Sequence, residues 1–476
     1  MPSVSVTDVV VIGAGPSGIG AAIRLRAQGF DVEVLEKSPE LGGTWRDNTY
    51  PGCACDVPSS LYSYSFAPGT WSRAFAGQRE ILQYLRITAE RHGVRPRYGT
   101  EVRSAEWDGA RWLINGEISA RTIVSATGPW HEPKIPDAGP FEGEVFHSAR
   151  WNHDYDLRGK RVAVVGTGAS AIQFVPEIQS TVDQLYLFQR TAPRVLPKPS
   201  AKLPRQVVFG IMELFSVGFR HPRIMKLVQK LGTYNLRRAI EDDELRAHLT
   251  PDFVLGCKRL LMSNTYYSAL ARPNVELVPQ AVRSFTPNGI VAADGTEREV
   301  DAVIFGTGFH FSDPSVAKRV VSGGRTLADV WRGSPQAYLG TSVHGFPNLF
   351  LLLGPNLGTG HSSAFTVIET QLNYITSALT AMRAAGWPVV DVREDVQHAY
   401  NTEVQQALQR TVYNAGGCVS YYLDANGRNS TMWPWSTIRM MRRIRDFDPD
   451  DYVTAGGTAA ARTGSPAAEP AEQPRS

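Results

Sequence analysis

The sequence predicts an α/β fold built from two dinucleotide-binding, Rossmann-like domains with a small helical insertion. Three observations support this prediction. A β-branched run at 9–12 leads directly into a glycine-rich loop and an apolar helix, and the same order of elements returns at 161–179. After the second unit the sequence pattern changes: apolar residues at helical spacing fill 206–230, and a charged helical stretch occupies 234–248. Buried strand, glycine loop and helix are the parts of a doubly wound sheet that binds nucleotides.

Length and composition describe an ordinary globular protein. The chain has 476 residues, of which 42% are hydrophobic and 20% charged, so two or three domains are expected. Its net charge of +3 is too small to indicate nucleic acid or an anionic membrane as a partner. No signal region is visible, and no apolar run reaches the roughly 18 residues of a spanning helix. We therefore expect a cytoplasmic monomer or homodimer with no integral membrane segment.

The four cysteines are Cys53, Cys55, Cys257 and Cys418, and no two of them form a Cys-x-x-Cys pair. This spacing argues against a zinc site or a thioredoxin-like redox centre, so no metal is expected. So few cysteines in a long chain fit a reduced cytosolic compartment.

The first nucleotide loop stands in a full strand, loop and helix context. Strand 9–12 is followed by Gly13-x-Gly15-x-x-Gly18, then by an apolar helix and a second strand that ends in Glu36. The glycines permit a tight turn and a close approach of the backbone to a pyrophosphate at the helix N-terminus. Glu36 is placed to accept hydrogen bonds from an adenosine ribose. We predict a dinucleotide site here rather than a plain glycine-rich turn.

A second glycine pair soon after Glu36 favours FAD over NAD. Gly42-Gly43 lets the backbone approach another part of an extended cofactor, whose far end must run deep into the protein. The residues that we assign to FAD beyond the first loop are Gly43, Thr44, Trp45, Asp56, Tyr62 and Val102. Two alternatives stay open. Trp45 also suits a hydrophobic core, and Asp56 also suits the N-cap of a helix that begins near Pro58.

The second nucleotide loop follows strand 161–165 and reads Gly166-Thr167-Gly168-Ala169-Ser170-Ala171. Where an NAD site carries an acid, the next strand ends in Gln189-Arg190-Thr191. Alanine at the third motif position and an arginine after the second strand indicate NADP, because Arg190 can form two hydrogen bonds to a 2′-phosphate. The alternative is a surface arginine stacked on a neighbour. We assign to NADPH the residues Gly166, Thr167, Gly168, Ser170, Arg190 and Thr191.

Between the two loops lies a stretch that neither nucleotide explains, Phe141-x-Gly143-x-x-x-His147-x-x-x-Trp151. It resembles the fingerprint of type I Baeyer–Villiger monooxygenases, within the flavin-containing monooxygenase superfamily. The segment 43–56 resembles the second long motif of that family, and the resemblance extends from about residue 8 to about residue 435. One position departs from the pattern: the family usually closes the fingerprint with Pro or Asp, and this chain has Asn152.

The resemblance implies a role for each part of the fingerprint. It makes 141–151 a linker between an FAD domain and an NADP domain, about which the domains rotate. It gives His147 an organising role in preference to proton transfer. Trp151 is expected to pack at the interface between the domains.

The same resemblance assigns the chemistry to residues outside the fingerprint. Cys257-Lys258-Arg259-Leu260 resembles the family's active-site segment, in which the arginine lies beside the flavin and the lysine contacts NADP. Arg259 is therefore the predicted catalytic residue, Asp56 is expected to hold it by a charge-assisted bond, and Lys258 is a predicted cofactor contact. Arginine keeps its proton, as a cation beside a developing anion must. Tyr421 stands in a mobile family segment that often carries Trp and there reaches the nicotinamide nucleotide.

The loops and the resemblance together predict how the chain is divided. The predicted segments are 1–140, the first part of the FAD-binding domain; 141–193, the first part of the NADP-binding domain; 194–256, the helical insertion; 257–305, the second NADP-binding part; 306–453, the second FAD-binding part; and 454–476, a disordered tail. For the insertion we favour a cover over the substrate pocket. A helix on a membrane surface is the alternative, since Arg and Lys flank its apolar stretch.

The implied function is that of an FAD-containing, NADPH-dependent Baeyer–Villiger monooxygenase. Such an enzyme inserts one oxygen atom of O2 next to the carbonyl of a small ketone, through a C4a-peroxyflavin, to give an ester or a lactone. One alternative is a flavin-containing monooxygenase that oxygenates sulfur or nitrogen of a small organic substrate. A further alternative is a flavoprotein reductase that passes electrons to a partner protein.

Overall fold

The computed structural model of the protein describes residues 6–311 and 314–455. The strands of this part are β1 (Val6–Ile12), β2 (Val32–Leu35), β3 (Ala105–Trp107), β4 (Trp112–Ile114), β5 (Ile118–Ser125), β6 (Glu144–His147), β7 (Arg161–Val165), β8 (Gln184–Phe188), β9 (Val195–Leu196), β10 (Leu261–Met262), β11 (Val275–Val278), β12 (Val282–Thr286), β13 (Gly289–Ala292), β14 (Glu297–Glu299), β15 (Ala302–Phe305), β16 (Val320–Ser322), β17 (Arg325–Thr326), β18 (Leu349–Leu351), β19 (Val389–Val392) and β20 (Tyr452–Ala455).

The helices of the same ranges follow in chain order. They are α1 (Pro16–Arg26), α2 (Thr44–Asp47), α3 (Gln78–Arg91), α4 (Ala171–Ile178), α5 (Arg205–Arg220), α6 (Pro222–Ala239), α7 (Asp243–His248), α8 (Tyr266–Leu270), α9 (Leu327–Trp331), α10 (Ala364–Ala385), α11 (Glu394–Leu408), α12 (Val412–Ala415) and α13 (Thr437–Arg443). Short 3₁₀ helices lie at Ser59–Leu61, Ser148–Arg150, Ser315–Lys318 and Pro449–Asp451.

The first sheet has eight strands and carries the first glycine loop. Its order is β17-β16-β3-β4-β5-β1-β2, and β18 pairs with β5. Strands β1, β2, β5 and β18 are parallel, whereas β4 runs antiparallel to both β3 and β5. Alternate residues of β1 enter different cores: Val9 and Val11 pack in the core that includes α1, and Val10 and Ile12 in the core around Trp112. A strand buried on both faces needs this β-branched composition.

The second sheet carries the second glycine loop and is parallel throughout. Its order is β11-β8-β7-β15-β6. A three-stranded antiparallel sheet of β12, β13 and β14 and two two-stranded pairs, β9 with β10 and β19 with β20, complete the pairing. These two large sheets, each with one glycine loop, confirm the predicted α/β class.

The two loops occupy equivalent places in their sheets. A Cβ on Gly13 would lie 2.7 Å from the carbonyl oxygen of Ala126, which follows β5, and a Cβ on Gly166 would lie 2.5 Å from that of Gly306, which follows β15. Both glycines have φ values in the left-handed region, 104° and 108°, which other residues rarely adopt. Each loop therefore lies at the carboxyl ends of parallel strands, where α/β sheets bind ligands.

The insertion contains three helices where the sequence predicted two helical segments. Helix α5 ends at Arg220 and α6 begins at Pro222, so the break falls inside the predicted 206–230 segment. Pro222 explains the break, because proline lacks the N–H that would continue α5 and suits the first position of a new helix. The predicted 234–248 segment is divided as well: Asp242 accepts a hydrogen bond from the backbone N–H of Leu245 at 2.8 Å and caps α7.

The C-terminal part of the fold extends further than predicted. Thr454 and Ala455, which were assigned to a disordered tail, belong to β20 and pair with Val390 and Val389 of β19. Small and polar residues in this segment give no local signal for a strand. The strand forms because it pairs with β19, more than sixty positions away in the chain. The rest of the predicted tail, 456–476, lies outside the described residues. In the described ranges, no helix combines the length and the apolar composition needed to cross a membrane.

Candidate functional site

A cleft at the carboxyl ends of the first sheet gathers residues from distant parts of the chain. It encloses about 1110 Å³ of empty space, part of it open to solvent. Such clefts at strand ends are the usual ligand sites of α/β folds. The predicted FAD-site residues that line it are Gly13, Gly15, Glu36, Gly43, Thr44, Tyr62 and Val102. Further lining residues, which the sequence analysis did not assign, include Arg46, Trp130, Arg319, Ala364 and Phe365.

Two glycine loops meet at the wall of this cleft. A Cβ on Gly43 would lie 3.0 Å from the Cα of Gly15, so the two backbones touch with no side chain between them. Gly18, also predicted for the site, does not line the cleft. A Cβ on Gly18 would lie 1.8 Å from the carbonyl oxygen of Gly13, so this glycine serves the packing of α1 against its own loop.

Glu36 is buried at the end of β2 and is held at both carboxylate oxygens. Oε2 accepts from the backbone N–H of Ala14 at 2.8 Å, and Oε1 accepts from that of Ser38 at 2.9 Å. The guanidinium of Arg46 reaches Oε1 at 3.3 Å. Oε2 accepts only one of these hydrogen bonds and can accept another, so the carboxylate is positioned and still able to bind a ligand hydroxyl.

Trp45 lies behind the cleft wall rather than in it. Its side chain is buried, and its indole N–H donates to the hydroxyl of Tyr62 at 3.2 Å. Tyr62 forms the wall itself, with its ring packed edge-on against Phe365 at 4.9 Å. Burial raises the pKa of Tyr62 well above its ordinary value, so this phenol keeps its proton. The core alternative for the Trp45 side chain is therefore the one that the structure supports.

Asp56 and Arg259 form a bidentate ion pair although 203 positions separate them in the chain. The Nε of Arg259 donates to Oδ2 of Asp56 at 2.5 Å, and Nη2 donates to Oδ1 at 2.9 Å. Asp56 caps no helix, because the next helical turn, a 3₁₀ turn, begins at Ser59 after Pro58. The charge of Asp56 raises the pKa of Arg259 well above its ordinary value. Burial pushes the pKa of Asp56 up, but the charge and hydrogen bonds of Arg259 outweigh it and the pKa is lowered.

The ion pair lies next to the cleft. The Arg259 guanidinium is 6.0 Å from the ring centre of Trp130, which lines the cleft. Tyr421 lies beside Arg259: burial raises the pKa of Tyr421, and the neighbouring guanidinium partly offsets that rise. Lys198 is also close, since Asp56 is among the charges that oppose the lowering of its pKa by burial.

Trp130 and Lys198 were not predicted as site residues, for different reasons. Trp130 directly follows Thr127-Gly128-Pro129 after β5, and its position at the carboxyl end of a central parallel strand was a usable signal. Lys198 stands among prolines in a connector, where nothing in the sequence marks a site.

The second glycine loop is tied to the end of β8. The Thr167 hydroxyl donates to the backbone carbonyl of Thr191 at 3.2 Å, which brings two predicted NADPH residues together. A Cβ on Gly168 would meet no atom closer than 3.9 Å, so the backbone there is open to a ligand. Ser170 is the N-cap residue of α4, and its side chain makes no capping bond.

Arg190 and Lys258 are near enough for the charge of Arg190 to affect the pKa of Lys258. Arg190 is exposed just after β8, and Lys258 is half-buried with its Nζ 5.2 Å from the ring centre of Phe253. Burial lowers the pKa of Lys258, the charge of Arg190 lowers it further, and Asp252 opposes both. Two converging cations repel each other, and a phosphate bound between them would relieve that repulsion.

The fingerprint forms β6 and the turns at its two ends. A Cβ on Gly143 would lie 2.5 Å from the Phe141 ring and 2.6 Å from the carbonyl oxygen of Asp301, so the Phe141-x-Gly143 spacing reflects packing. His147 is buried, and its Nδ1 accepts a hydrogen bond from the backbone N–H of Ala149 at 3.0 Å. Burial lowers the pKa of His147 to about 4, so the imidazole is neutral at pH 7. A buried, neutral histidine that organises a turn agrees with the organising role.

The end of the fingerprint packs onto the second sheet. The Trp151 ring meets Phe146 at 5.1 Å and Phe174 at 5.3 Å, both residues of that sheet's core. Asn152 accepts from the backbone N–H of Asp154 at 3.0 Å and donates to Glu144 at 2.7 Å. An Asp could make the first bond but not the second, so the departure from the family pattern is accommodated locally.

Cys257 and Cys418 are joined by a disulfide, contrary to the expectation of reduced cysteines throughout. The bond links the residue before Lys258 to the segment that carries Tyr421. No local signal pointed to it, because 161 positions separate the partners. Cys53 and Cys55 are free thiols, and burial raises the pKa of Cys53 to about 12, which makes it unreactive.

Comparison with known proteins gives a consistent result. Residues 10–204 match the pyridine nucleotide-disulphide oxidoreductase family. The chain is 47% identical to a Baeyer-Villiger monooxygenase of Streptomyces coelicolor over 97% of this chain and 95% of the relative. It is 45% identical to one of Pseudomonas aeruginosa, over 93% and 90% of the two chains. A crystal structure of OTEMO in complex with FAD and NADP superposes with a TM-score of 0.85 at 25% identity, covering 94% of this chain and 99% of that one.

Proposed function

The chain belongs to the Baeyer–Villiger monooxygenases, oxidoreductases that use FAD and NADPH, and on this premise we propose that its substrate is a small ketone. One oxygen atom of O2 is inserted next to the ketone carbonyl, so the product is an ester or a lactone. The observation that carries the proposal is the ion pair of Arg259 with Asp56 beside the cleft.

The ion pair suits ketone chemistry for an electrostatic reason. Attack on a ketone carbonyl places negative charge on the carbonyl oxygen, and a fixed cation near that oxygen stabilises the charge. Arg259 keeps its proton at neutral pH, because Asp56 raises its pKa well above the ordinary value. Oxygenation of sulfur or nitrogen places no negative charge on a carbonyl oxygen. In that reaction the Arg259–Asp56 pair would have no such charge to stabilise.

The cleft suits FAD because the backbones of two glycine loops form part of its wall. The contact of Gly15 with Gly43 leaves a path along both loops that no side chain obstructs. We assign Glu36 to the adenosine ribose, and the other predicted wall residues likewise to the cofactor. Bound there and reduced by NADPH, FAD supplies the activation of O2.

The converging cations at the second loop support the assignment of NADPH to that loop. We assign Arg190 to the 2′-phosphate, with Lys258 as a second cation at the same group. Thr167 and Thr191, joined by their hydrogen bond, hold the loop against the end of β8. The pyrophosphate would lie at the N-terminus of α4.

Three aromatic side chains shield the guanidinium of Arg259. Trp130 lies on one side, and Tyr421 and Tyr422, whose ring centres are 4.7 Å apart, lie near it on the C-terminal segment. Their rings cover part of the guanidinium, which remains partly exposed, and a lower local dielectric strengthens the field that Arg259 exerts on a carbonyl oxygen. Tyr421 in place of the tryptophan common in the family keeps a donor at this point with a shorter reach.

Labelled oxygen tests the proposal. Purified enzyme with NADPH and ¹⁸O2 is offered a panel of linear, cyclic and aromatic ketones together with one thioether. The expected result is an ester or lactone that contains one ¹⁸O atom, with the carbonyl oxygen of the ketone retained. Sulfoxide from the thioether without ester from any ketone would reject the ketone proposal and favour oxygenation of soft nucleophiles.

We also propose the predicted division of the chain as the functional one, except that the second FAD-binding part extends to Ala455, the end of β20. Its boundaries are supported by sheet membership, since β6 to β8, β11 and β15 fall in the second sheet and β1 to β5 and β16 to β18 in the first. We propose that the enzyme works in the cytoplasm, the compartment that supplies NADPH, as a monomer or homodimer.

A further inference from the structure

The outward face of the helical hairpin α5–α6 is apolar. Its exposed large apolar residues are Val207, Ile211 and Leu214 on α5, and Ile224, Leu227, Leu231 and Tyr234 on α6. On each helix they are three or four positions apart, which places them in one stripe. Leu214 is 73% exposed and Leu227 64%. Single exposed apolar residues are common on protein surfaces, but a contiguous group of them indicates an interaction surface.

The inward face of the hairpin is fixed to the rest of the molecule. Gly218 of α5 gives room to the side chain of Met225 on α6, whose sulfur would lie 2.7 Å from a Cβ there. Glu213 accepts hydrogen bonds from two backbone N–H groups at the start of α13, at 2.8 and 3.2 Å. Phe219 stacks on Tyr413 with ring centres 5.3 Å apart. The exposed stripe is therefore a preformed surface rather than the unpacked side of a loose segment.

The charged residues in and just before the hairpin are almost all basic. Between positions 202 and 238 they are Lys202, Arg205, Arg220, Arg223, Lys226, Lys230, Arg237 and Arg238, against one acid, Glu213. Two of the basic residues, Lys202 and Arg205, point inward and donate to backbone carbonyls between 60 and 72, and Arg205 also pairs with Glu369. The whole chain has 49 Lys and Arg against 46 Asp and Glu, so composition alone does not produce this imbalance. Acidic residues return only at 241–244, beyond the end of α6.

A groove at the closed end of the hairpin adds cations to the same region. Arg220, His221 and Arg223 line it from the hairpin, and Arg410 and Trp435 line it from the other side. Arginine is the side chain best suited to phosphate oxygens, and tryptophan favours the boundary between water and hydrocarbon.

We propose that the hairpin, residues 205–239, docks on the surface of an anionic lipid membrane. The apolar stripe enters the boundary between headgroups and acyl chains, and the basic residues contact lipid phosphates. A second copy of the chain fits this surface less well, because two such faces would bring their basic residues together without acidic partners. The proposal concerns this outward face alone and does not depend on which substrate the cleft binds.

Vesicle sedimentation with the full-length holoenzyme tests the proposal. The protein should sediment with vesicles of phosphatidylcholine mixed with phosphatidylglycerol, and not with phosphatidylcholine alone. Added salt should weaken the binding, because it screens the basic residues. Lys226→Glu combined with Lys230→Glu should weaken it about 25-fold or more, about fivefold for each basic residue lost. Leu227→Ser with Leu231→Ser should also reduce it, through the apolar stripe.

The matched control reverses two exposed arginines outside the hairpin, Arg91→Glu with Arg283→Glu, and should leave vesicle binding unchanged. The thermal midpoint and the absorbance of bound flavin show for every variant whether the fold is intact. Equal binding to neutral and anionic vesicles, or none to either, would overturn the proposal. A dimer in vesicle-free solution that Leu227→Ser with Leu231→Ser dissociates would overturn it in favour of a second copy.

Discussion

At the scale of single residues, the proposed chemistry depends on the guanidinium of Arg259, which Asp56 holds in place and keeps charged. Asp56 accepts from two of the N–H groups of Arg259, and a guanidinium has five such donors, so the pair does not exhaust its hydrogen-bonding capacity. Because both partners are partly shielded from solvent, removing one would leave the other charge poorly compensated. Each partner therefore has its own experimental signature.

Replacing Arg259 should separate reduction from oxygenation. In Arg259→Ala, NADPH should still bleach the flavin, but ester formation should fall about 10²- to 10³-fold, the loss typical of one oxyanion-stabilising donor. Arg259→Lys retains a positive charge but cannot form two parallel hydrogen bonds to Asp56. Its rate of ester formation should lie between that of Arg259→Ala and that of the wild type. Stopped-flow absorbance and product analysis measure the two steps, and ester formation at the normal rate in Arg259→Ala would remove this residue from the mechanism.

Replacing Arg190 should reveal the 2′-phosphate contact. Arg190→Ala should raise KM for NADPH about 10-fold or more, because a hydrogen bond to a charged group is lost, and should leave KM for NADH almost unchanged. Steady-state oxidation of the two nucleotides measures the difference, and NADH serves as the internal control. Equal effects on both nucleotides would contradict the assignment.

His147 should make the fold sensitive to acid. Its pKa is lowered from 6.5 to about 4 by burial, so between these values the unfolded chain binds a proton that the folded chain does not. The neutral imidazole therefore makes its full contribution to the free energy of unfolding above pH 6.5. As the pH falls from 6.5 towards 4, the free energy of unfolding should decrease by up to about 3 kcal/mol. Urea unfolding of the wild type and of His147→Asn, which keeps an acceptor, should show a shallower pH dependence for the variant. Parallel curves would show that His147 does not titrate in this way.

The site residues that could be predicted from the sequence are those whose role depends on local backbone geometry or that belong to a recognisable motif. The glycines at 13, 15 and 166 and the acid at the end of β2 were predictable from spacing. The partnership of Asp56 with Arg259 was expected from the family resemblance and not from any pattern in the chain. Lys198 was out of reach, because its environment is created by tertiary contacts alone.

At the scale of elements, the hairpin and the fingerprint show where local rules were sufficient. The periodicity of 206–230 correctly predicted helical structure. The boundary between α5 and α6 was not predicted, although Pro222 was a usable signal for it. The fingerprint was predicted to be a linker, and the spacing of Phe141 and Gly143 within it has a packing explanation: Gly143 has no room for a side chain beside Phe141. β20 could not be predicted, since its residues become a strand only by pairing with β19.

One substitution at two glycines should have opposite effects on stability. Gly143→Ala places a Cβ 2.5 Å from the Phe141 ring and 2.6 Å from a carbonyl oxygen, and should destabilise the fold by about 1–3 kcal/mol. Gly210→Ala, in α5, meets nothing within 4 Å and should stabilise the helix by up to about 1 kcal/mol. Thermal unfolding measures both, and a lower midpoint for Gly210→Ala than for Gly143→Ala would contradict the packing account.

At the scale of the whole molecule, the site is assembled from segments that meet only in the finished fold. Asp56 follows the opening of the first sheet, Arg259 follows the insertion, and Tyr421 lies near the C-terminal end. The two sheets were predictable because each strand, loop and helix unit is continuous in sequence. Their mutual placement, and the disulfide between Cys257 and Cys418, were not, because they depend on long-range contacts.

Removing the disulfide should weaken the fold as a whole. In the chain-entropy account, a ring of 161 residues is worth about 5 kcal/mol, because the unfolded chain loses freedom when its ends are joined. Cys257→Ala with Cys418→Ala should therefore unfold at lower denaturant concentration than the wild type under oxidising conditions. Cys53→Ala, which removes a free thiol, is the control, and equal midpoints for the wild type and the double variant would show that the bond does not stabilise the fold.

The same bond makes a covalent loop of everything between Cys257 and Cys418, including three of the eight strands of the first sheet and two of the five strands of the second. A single protease cut anywhere from 258 to 417 would open this loop without releasing a fragment. On a gel the cut protein would run as one species until a reducing agent is added, and then as two. A cut in the hairpin, which precedes Cys257, would release a separate N-terminal piece under either condition.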